Sequence, residues 1–316
     1  MTENETKPIK EELVKVLNKK LENLQRLEEF GKGSDYIQEL SDIALIQFQL
    51  GNFIESEENY FICLKHFKKQ KDRLGQASVY GLLATIYFKK GNYQKTIEFY
   101  ESAFDIYRNL DQVQEQIICL KGIGNAYLKL NKFDEACDSL LDCSAICSDN
   151  SDIYNLLDCL GNLIHIHEIN KNWDIVFELY KKTLKAFKEI KDNKGIITAY
   201  FNLGILQKKN KDFEEALRYF KKGTNVAIDK NYVELIIKGL GYVGEMLFYL
   251  GKIKEAKEQF IRALHIARKI NAKNAIIQTR ILLKSLGLQD RNITEELKEM
   301  EKEKKSIQSE NDFTFP

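Results

Sequence analysis

Proline is almost missing from this chain. Pro8 and Pro316 are the only two in 316 residues. An interior this long without proline favours helix throughout, because proline removes a backbone donor and clashes with the preceding turn. An excess of charge of one sign is also missing. The 48 basic and 47 acidic side chains leave a net charge of +1, which gives no global field for non-specific nucleic-acid binding. No apolar run approaches the ~18 residues of a membrane span. The opening MTENETKPIK has no apolar stretch of the kind a secretory leader needs. These absences predict no nucleic-acid partner, no membrane contact and a cytoplasmic location, where the six cysteines would stay reduced. Phosphate-binding glycine loops, nucleophile elbows and metalloprotease motifs are absent too. The stretch GIGN at 122–125 lies inside a helical pattern rather than between a strand and a helix. The expectation is a non-catalytic protein with no cofactor.

What is present is a repeat. Short turns recur at Gly51-Asn52-Phe53, Gly91-Asn92-Tyr93, Asn131-Lys132-Phe133, Lys171-Asn172-Trp173, Lys211-Asp212-Phe213 and Gly251-Lys252-Ile253, 40 residues apart each time. Self-similarity at a fixed period marks a solenoid, in which each unit buries its apolar face on its neighbours. Propeller blades also have periods near forty, but they need alternating strands, and no alternation is visible. Each unit instead carries two helical patterns. Ile237, Leu240, Val243, Leu247 and Leu250 lie at spacings of three and four; after the turn, Ile253, Ala256, Phe260, Ala263 and Ile266 do the same. Gly251 ends the first helix at little conformational cost.

These units resemble the tetratricopeptide repeat family. The first-helix signature appears as Leu120 with Ile123-Gly124-Asn125-Ala126-Tyr127, and as Tyr80 with Leu83-Ala84-Thr85-Ile86-Tyr87. The second-helix pair of a small residue and an aromatic appears as Ala216 with Phe220 and Ala256 with Phe260. The period of 40 and the missing proline at each second-helix end depart from the usual repeat of 34. They resemble the long-helix branch of kinesin light chain and spindle-orientation adaptors. The resemblance implies an all-α, right-handed superhelical solenoid of about six helix pairs with helical caps. Residues 1–33 would cap the N-terminus, 34–290 would form the solenoid with the start of a degenerate seventh unit, and 291–316 would form a C-terminal cap and frayed tail. Repeat four fits worst: Ile164 replaces a small residue, His167 a tyrosine and Lys171 a glycine. Either the packing opens there or Trp173 compensates.

The ends carry their own patterns. Leu13, Val16, Leu17, Leu21, Leu24 and Leu27 make a stripe behind Pro8, which is expected to be the first helical residue. This segment reads as a lone second helix covering repeat one, with a coiled-coil dimerisation helix as the alternative; the cap reading predicts a monomer. Segments 274–286 and 292–306 read as the seventh unit, with a thin stripe of Ile293, Leu297 and Met300. Phe313 and Phe315 fall in the tail.

Candidate chemistry is sparse. Cys143 and Cys147 lie four apart, with His165 and His167 in the next helix, but paired C-x-x-C zinc motifs are lacking. Cys63 and Cys143 also fall at the position of Ala103 and Ala263, so packed thiols and no metal are expected. His66 and His265 stand alone. The family resemblance implies that first helices line a concave groove that takes a peptide or partner helix. Lys121, Asn125 and Asn162 match three positions of the family's carboxylate clamp, while Thr198 and Asn202 stand where Lys and Arg should be. The expected peptide-binding residues are therefore Lys121, Asn125, Asn162 and Asn202, joined by Lys89 and Lys129 from a lysine row that could favour an acidic protein or peptide. That row would also suit helix C-termini without any ligand. The aromatics Phe48, Phe88, Phe248 and Tyr249 belong either to this surface or to the packing between repeats. The functional expectation is a scaffold or adaptor holding an extended peptide or helix in its groove. The alternative is a structural subunit working through its convex face or ends. A peptide-sensing transcription regulator would need a DNA-binding domain, for which residues 1–33 are too short.

Overall fold

The computed structural model describes residues 3–299. Every regular element among them is an α-helix. Helix α1 (Glu3–Glu29) is followed by six pairs: α2 (Ser34–Leu50) and α3 (Phe53–Gln70), α4 (Arg73–Lys89) and α5 (Tyr93–Asn109), α6 (Val113–Lys129) and α7 (Phe133–Asp149), α8 (Ile153–Ile169) and α9 (Trp173–Glu189), α10 (Asn193–Lys209) and α11 (Phe213–Asp229), α12 (Val233–Tyr249) and α13 (Ile253–Lys269). A shorter α14 (Lys273–Ser285) and α15 (290–299) come last. The expected all-α solenoid of helix pairs is what these residues form. Met300, Phe313 and Phe315 lie outside the described residues.

The turns are more regular than the sequence suggests. One residue with positive φ ends a helix every twenty positions, from Gly51 and Lys71 through to Gly251 and Asn271. Glycine fills only three of these twelve sites; Lys, Asn, Asp or Ser fills the others. At each, the next backbone N–H reaches a carbonyl five residues back, as Asn92 does to Tyr87 at 2.9 Å and Asn172 to His167 at 2.9 Å. That bond satisfies a helix-end carbonyl and reverses the chain. Lys171, where repeat four lacks its glycine, takes φ 57° and makes the same turn as the rest. Asp72, Asn92, Asp192 and Asp212 then accept backbone N–H bonds at the start of the following helix.

The chain divides into two compact units between Ile166 and His167, within the repeat that departs most from the pattern. In the first unit, Tyr60, Leu83 and Ile86 anchor one core cluster, and Ile97, Tyr100 and Ile123 anchor another. In the second unit, Phe220, Leu240, Phe260 and Leu264 form a cluster that runs on to Ile293 and Leu297 of α15. Strong contacts within each unit join helices that are neighbours along the chain. The small first-helix residue has a steric reason at Gly124, Gly204 and Gly244: a Cβ there would meet Leu140, Phe220 and Phe260 at 2.9, 2.7 and 2.5 Å respectively. Burying a side chain such as Phe260 stabilises the pair by roughly 1.5–3 kcal/mol.

Helix α1 packs on α2 and differs from expectation in two respects. It begins at Glu3, so Pro8 lies inside it and not at its first position. The proline removes one N–H donor from the opening turns. Its inner line is Leu13, Leu17, Lys20, Leu24 and Leu27, all half-buried, while Val16 and Leu21 of the expected stripe face solvent. Lys20 sits in that line because its ammonium pairs with Glu39 at 3.1 Å and Asp42 at 2.8 Å.

Candidate functional site

Three of the expected binding residues meet in the first unit. Asn162 of α8 donates from Nδ2 to Oδ1 of Asn125 on α6 at 3.4 Å. Lys121, one turn earlier on α6, donates from Nζ to Oδ1 of Asn155 and to Oδ2 of Asp158, both at 2.7 Å. The Lys121 charge is thus matched by a carboxylate of the next first helix, so a ligand carboxylate would have to compete with Asp158. The sequence reading missed Asp158, although a spacing of 37 residues, three short of the repeat, is the signal that places it there. Asn202 is half-buried on α10 in the second unit. Lys89 and Lys129 are exposed at the ends of α4 and α6. Lys209, at the same repeat position as Lys89 and Lys129, lies 4.6 Å from the centre of the Trp173 ring, a cation–π contact that accounts for its place without a ligand.

The aromatics divide between the two expected fates. Phe48 packs on Phe53 at 5.6 Å and Phe88 on Tyr93 at 5.4 Å between ring centres, so each closes the hinge of its own helix pair. Tyr249 stacks on Phe213 at 4.8 Å but, like Phe248, remains exposed.

The second unit carries an open groove of about 880 Å³ between α12 and α14, the first helices of consecutive units. Its apolar floor includes Ile237 and Leu282, and its walls present Lys238, Tyr242 and Lys273. Gly241 opens it from α12: a Cβ at that position would touch nothing within 4 Å. Glu245 lines the same groove and is held by Lys208 at 2.6 Å. The forty-residue register puts Lys238, Tyr242 and Glu245 of α12 in the rows of Thr198, Asn202 and Ile205 of α10, but it does not encode the separation of the helices that makes a groove.

A third feature lies in the core of the first unit. Cys143 and Cys147 of α7 and Cys159 of α8 are fully buried, and their three sulfur atoms lie within 4.8 Å of one another. The histidines considered with them are elsewhere: His165 is exposed, and His167 shares a 3.3 Å hydrogen bond with Asn172 in the second unit. Burial pushes the Cys147 thiol up to about 11. Cys143 donates from Sγ to the Ile117 carbonyl at 3.7 Å, and the neighbouring Cys159 sulfur together with burial raises its thiol above the ordinary value. The adjacent Cys143 thiol and the Lys121 charge hold Cys159 below the ordinary thiol value. Cys159 escaped the sequence reading because it lies across a turn from the other two.

No helix among the described residues is long and apolar enough to cross a membrane. Among curated proteins, the chain is similar to TPR repeat-containing protein MJ1428 of Methanocaldococcus jannaschii. They are 22% identical over 241 residues, which is 73% of this chain and 37% of that protein. It is also similar to regulatory protein RapD of Bacillus subtilis, at 26% identity over 110 residues, 33% of this chain and 30% of RapD. The chain thus spans about a third of the length of these relatives. Among solved structures, it is similar to the signal transduction ATPase with numerous domains, PH0952 of Pyrococcus horikoshii, described as having a tetratricopeptide repeat sensor. The TM-score is 0.53 with 18% identity, covering 91% of this chain and 45% of that one, a likeness of fold. The tetratricopeptide repeat family itself matches residues 37–109, 75–149 and 155–229, more than half of the chain. With the forty-residue helix pairs and the small residues set against large ones, that match means that the chain belongs to the tetratricopeptide repeat family.

Proposed function

We propose that this protein is a non-catalytic interaction scaffold that holds an extended segment of a partner protein on its first-helix face. Tetratricopeptide repeats generally mediate contacts between proteins. The observation that carries the reading here is the groove between α12 and α14. Its volume of about 880 Å³ falls within the range of ligand sites, ~300–1,000 Å³. An apolar floor gives a side chain somewhere to be buried. Lys238 and Lys273 on its walls suit an acidic residue beside that anchor. Lys121, Asn125 and Asn162 of the first unit form a second, more polar seat for a peptide backbone. Asn125 and Asn162 satisfy each other through a bond of 3.4 Å, long enough for a peptide amide to displace it at little cost. Asn202, Lys89 and Lys129 add polar and basic surface on their own units.

The test begins with a photo-crosslinking residue at position 241, followed by calorimetry with the partner it captures. Gly241→Trp should fill the groove without touching the core and weaken binding at least about tenfold, with melting unchanged. The pair Asn125→Ala and Asn162→Ala, made together, should weaken binding by a similar factor if the polar seat shares the ligand. Affinity unchanged in both variants would overturn the groove reading. A structural-subunit role would then take its place, working through the exposed apolar residues Ile54, Ile62 and Leu141 of the second helices.

A further inference from the structure

The buried thiols of the first unit do not follow from the packing of a helix-pair repeat. Positions 143, 147 and 159 recur at intervals of forty, so the other repeats show what the same three places hold when only packing matters. The place of Cys147 is taken by Phe67, Tyr107 and Phe187 in three sister repeats. The place of Cys143 is held by Cys63, Ala103, Thr183, Gly223 and Ala263, and that of Cys159 by Val79, Cys119, Ala199 and Gly239. Sulfur recurs singly at these places, as aromatic or small residues do, and only the set on α7 and α8 has it at all three. Its volume is rebalanced nearby. Where Phe67 and Phe187 are present, Gly75 and Gly195 make room, since a Cβ on either would come within 2.5 Å of the ring. Where Cys147 stands, the matching residue is Asn155, whose side chain binds Asp152 and receives the Lys121 ammonium. The step from α7 to α8 thus exchanges a ring and a glycine for a thiol and a polar clamp.

We propose that Cys143, Cys147 and Cys159 form a three-thiolate site for copper(I). Three soft sulfur donors select a soft cation. Among the described residues, no His, Asp or Glu joins the cluster to supply a fourth ligand, which disfavours zinc because its structural sites are four-coordinate. At a metal–thiolate distance of about 2.3 Å, a trigonal plane of sulfurs has edges of about 4.0 Å. The three sulfurs already lie within 4.8 Å of one another, so closure takes a side-chain adjustment and no movement of a helix. Cys143 and Cys147 are four apart on α7 and present one face, while Cys159 approaches from α8. The bound ion displaces thiol protons to solvent and leaves a negatively charged centre. Lys121, clamped to Asn155 and Asp158 on the helix that carries Cys159, supplies the nearby positive charge. Entry to a buried pair of helices occurs through local opening.

The experiment titrates the reduced full chain with copper(I) without oxygen, in competition with a chromophoric copper(I) chelator. One ion per chain is expected, with X-ray absorption showing three sulfur neighbours at about 2.3 Å. Cys143→Ala and Cys159→Ala, which install the residues of the sister repeats, should each lower affinity at least about a hundredfold, the upper limit for losing a mere supporting contact. Helicity and melting should be retained. Cys119→Ala, outside the cluster, should bind as the parent does. If an alanine variant fails to fold, Cys159→Ser keeps the size and should show the same loss. Undiminished copper binding by folded Cys159→Ala or Cys159→Ser would overturn the site. So would loss of binding in Cys119→Ala, or retention of a four-coordinate zinc in preference to copper(I).

Discussion

Gly244 of α12 and Phe260 of α13 meet so closely that a Cβ on the glycine would lie 2.5 Å from the ring. This contact sets the approach of the two helices in the sixth repeat. Gly244→Ala gains up to about 1 kcal/mol of helix propensity but forces Phe260 out of a fully packed site, an overpacking cost of about 1–3 kcal/mol. Net destabilisation is expected by urea denaturation. Gly241→Ala, three residues earlier and facing open space, should have the opposite sign and stabilise by about 0.5–1 kcal/mol. Equal effects at the two positions would refute the steric account.

Acid should weaken the first unit through Glu57. Burial alone would push its carboxyl up, but hydrogen bonds from Lys90, at 2.6 Å, and from the Tyr87 hydroxyl outweigh that and hold it below the ordinary value. A carboxyl depressed in the native state stabilises fully above its unfolded value, about 4.3, and loses that stabilisation as pH falls through the native value. Glu57→Gln should cost about 1 kcal/mol at neutral pH, since the pair is partly exposed and screened. The gap between parent and variant should close below pH ~4. Melting curves across pH 3–7 would show whether it does.

Nine turns hold a non-glycine residue in the left-handed region. Lys211, with φ 62°, is one of them, and its side chain is exposed. Relief of the ~1–2 kcal/mol left-handed cost, less the extra entropy that glycine gives the unfolded chain, leaves a gain of about 0.5–1 kcal/mol for Lys211→Gly. An increase in thermal midpoint should report it.

Removal of residues 1–30 should lower stability and leave the oligomeric state unchanged. Leu24 and Leu27 pack on the cluster that contains Tyr36 and Leu40, and the Lys20 pairs to Glu39 and Asp42 would go with them. Sedimentation and melting of the truncated chain would decide between capping and self-association. A dimer becoming an equally stable monomer would assign α1 to the second role.

The helix pairs were legible because their signals are local and repeated: apolar spacing, turn residues and a small residue opposite a large one. The start of α1 was misplaced because Pro8 tolerates an early interior position as well as the first. Half the left-handed turns were not singled out, since Lys71, Asp111 and Lys191 give no glycine signal and are fixed by the packing of both flanking helices. Lys121, Asn125 and Asn162 were read as clamp positions; the structure bonds Asn162 to Asn125 and sets Lys121 against Asp158, which the reading missed. Register tells which residues share a row and not which of them bond. The groove at α12 and α14 depends on how far two helices stand apart, which no spacing pattern encodes. Cys159 illustrates the same limit, for its partners lie on the preceding helix and only the forty-residue offset links their places.

The neighbour-to-neighbour packing within each unit has a mechanical consequence. Among the described residues no strand joins remote parts of a unit, and its strong contacts each join consecutive helices. Load applied along the chain is therefore carried in series. Such a molecule should yield under tension one helix pair at a time, at low and similar forces, and recover each pair quickly when released, because closing loops of this length is entropically cheap.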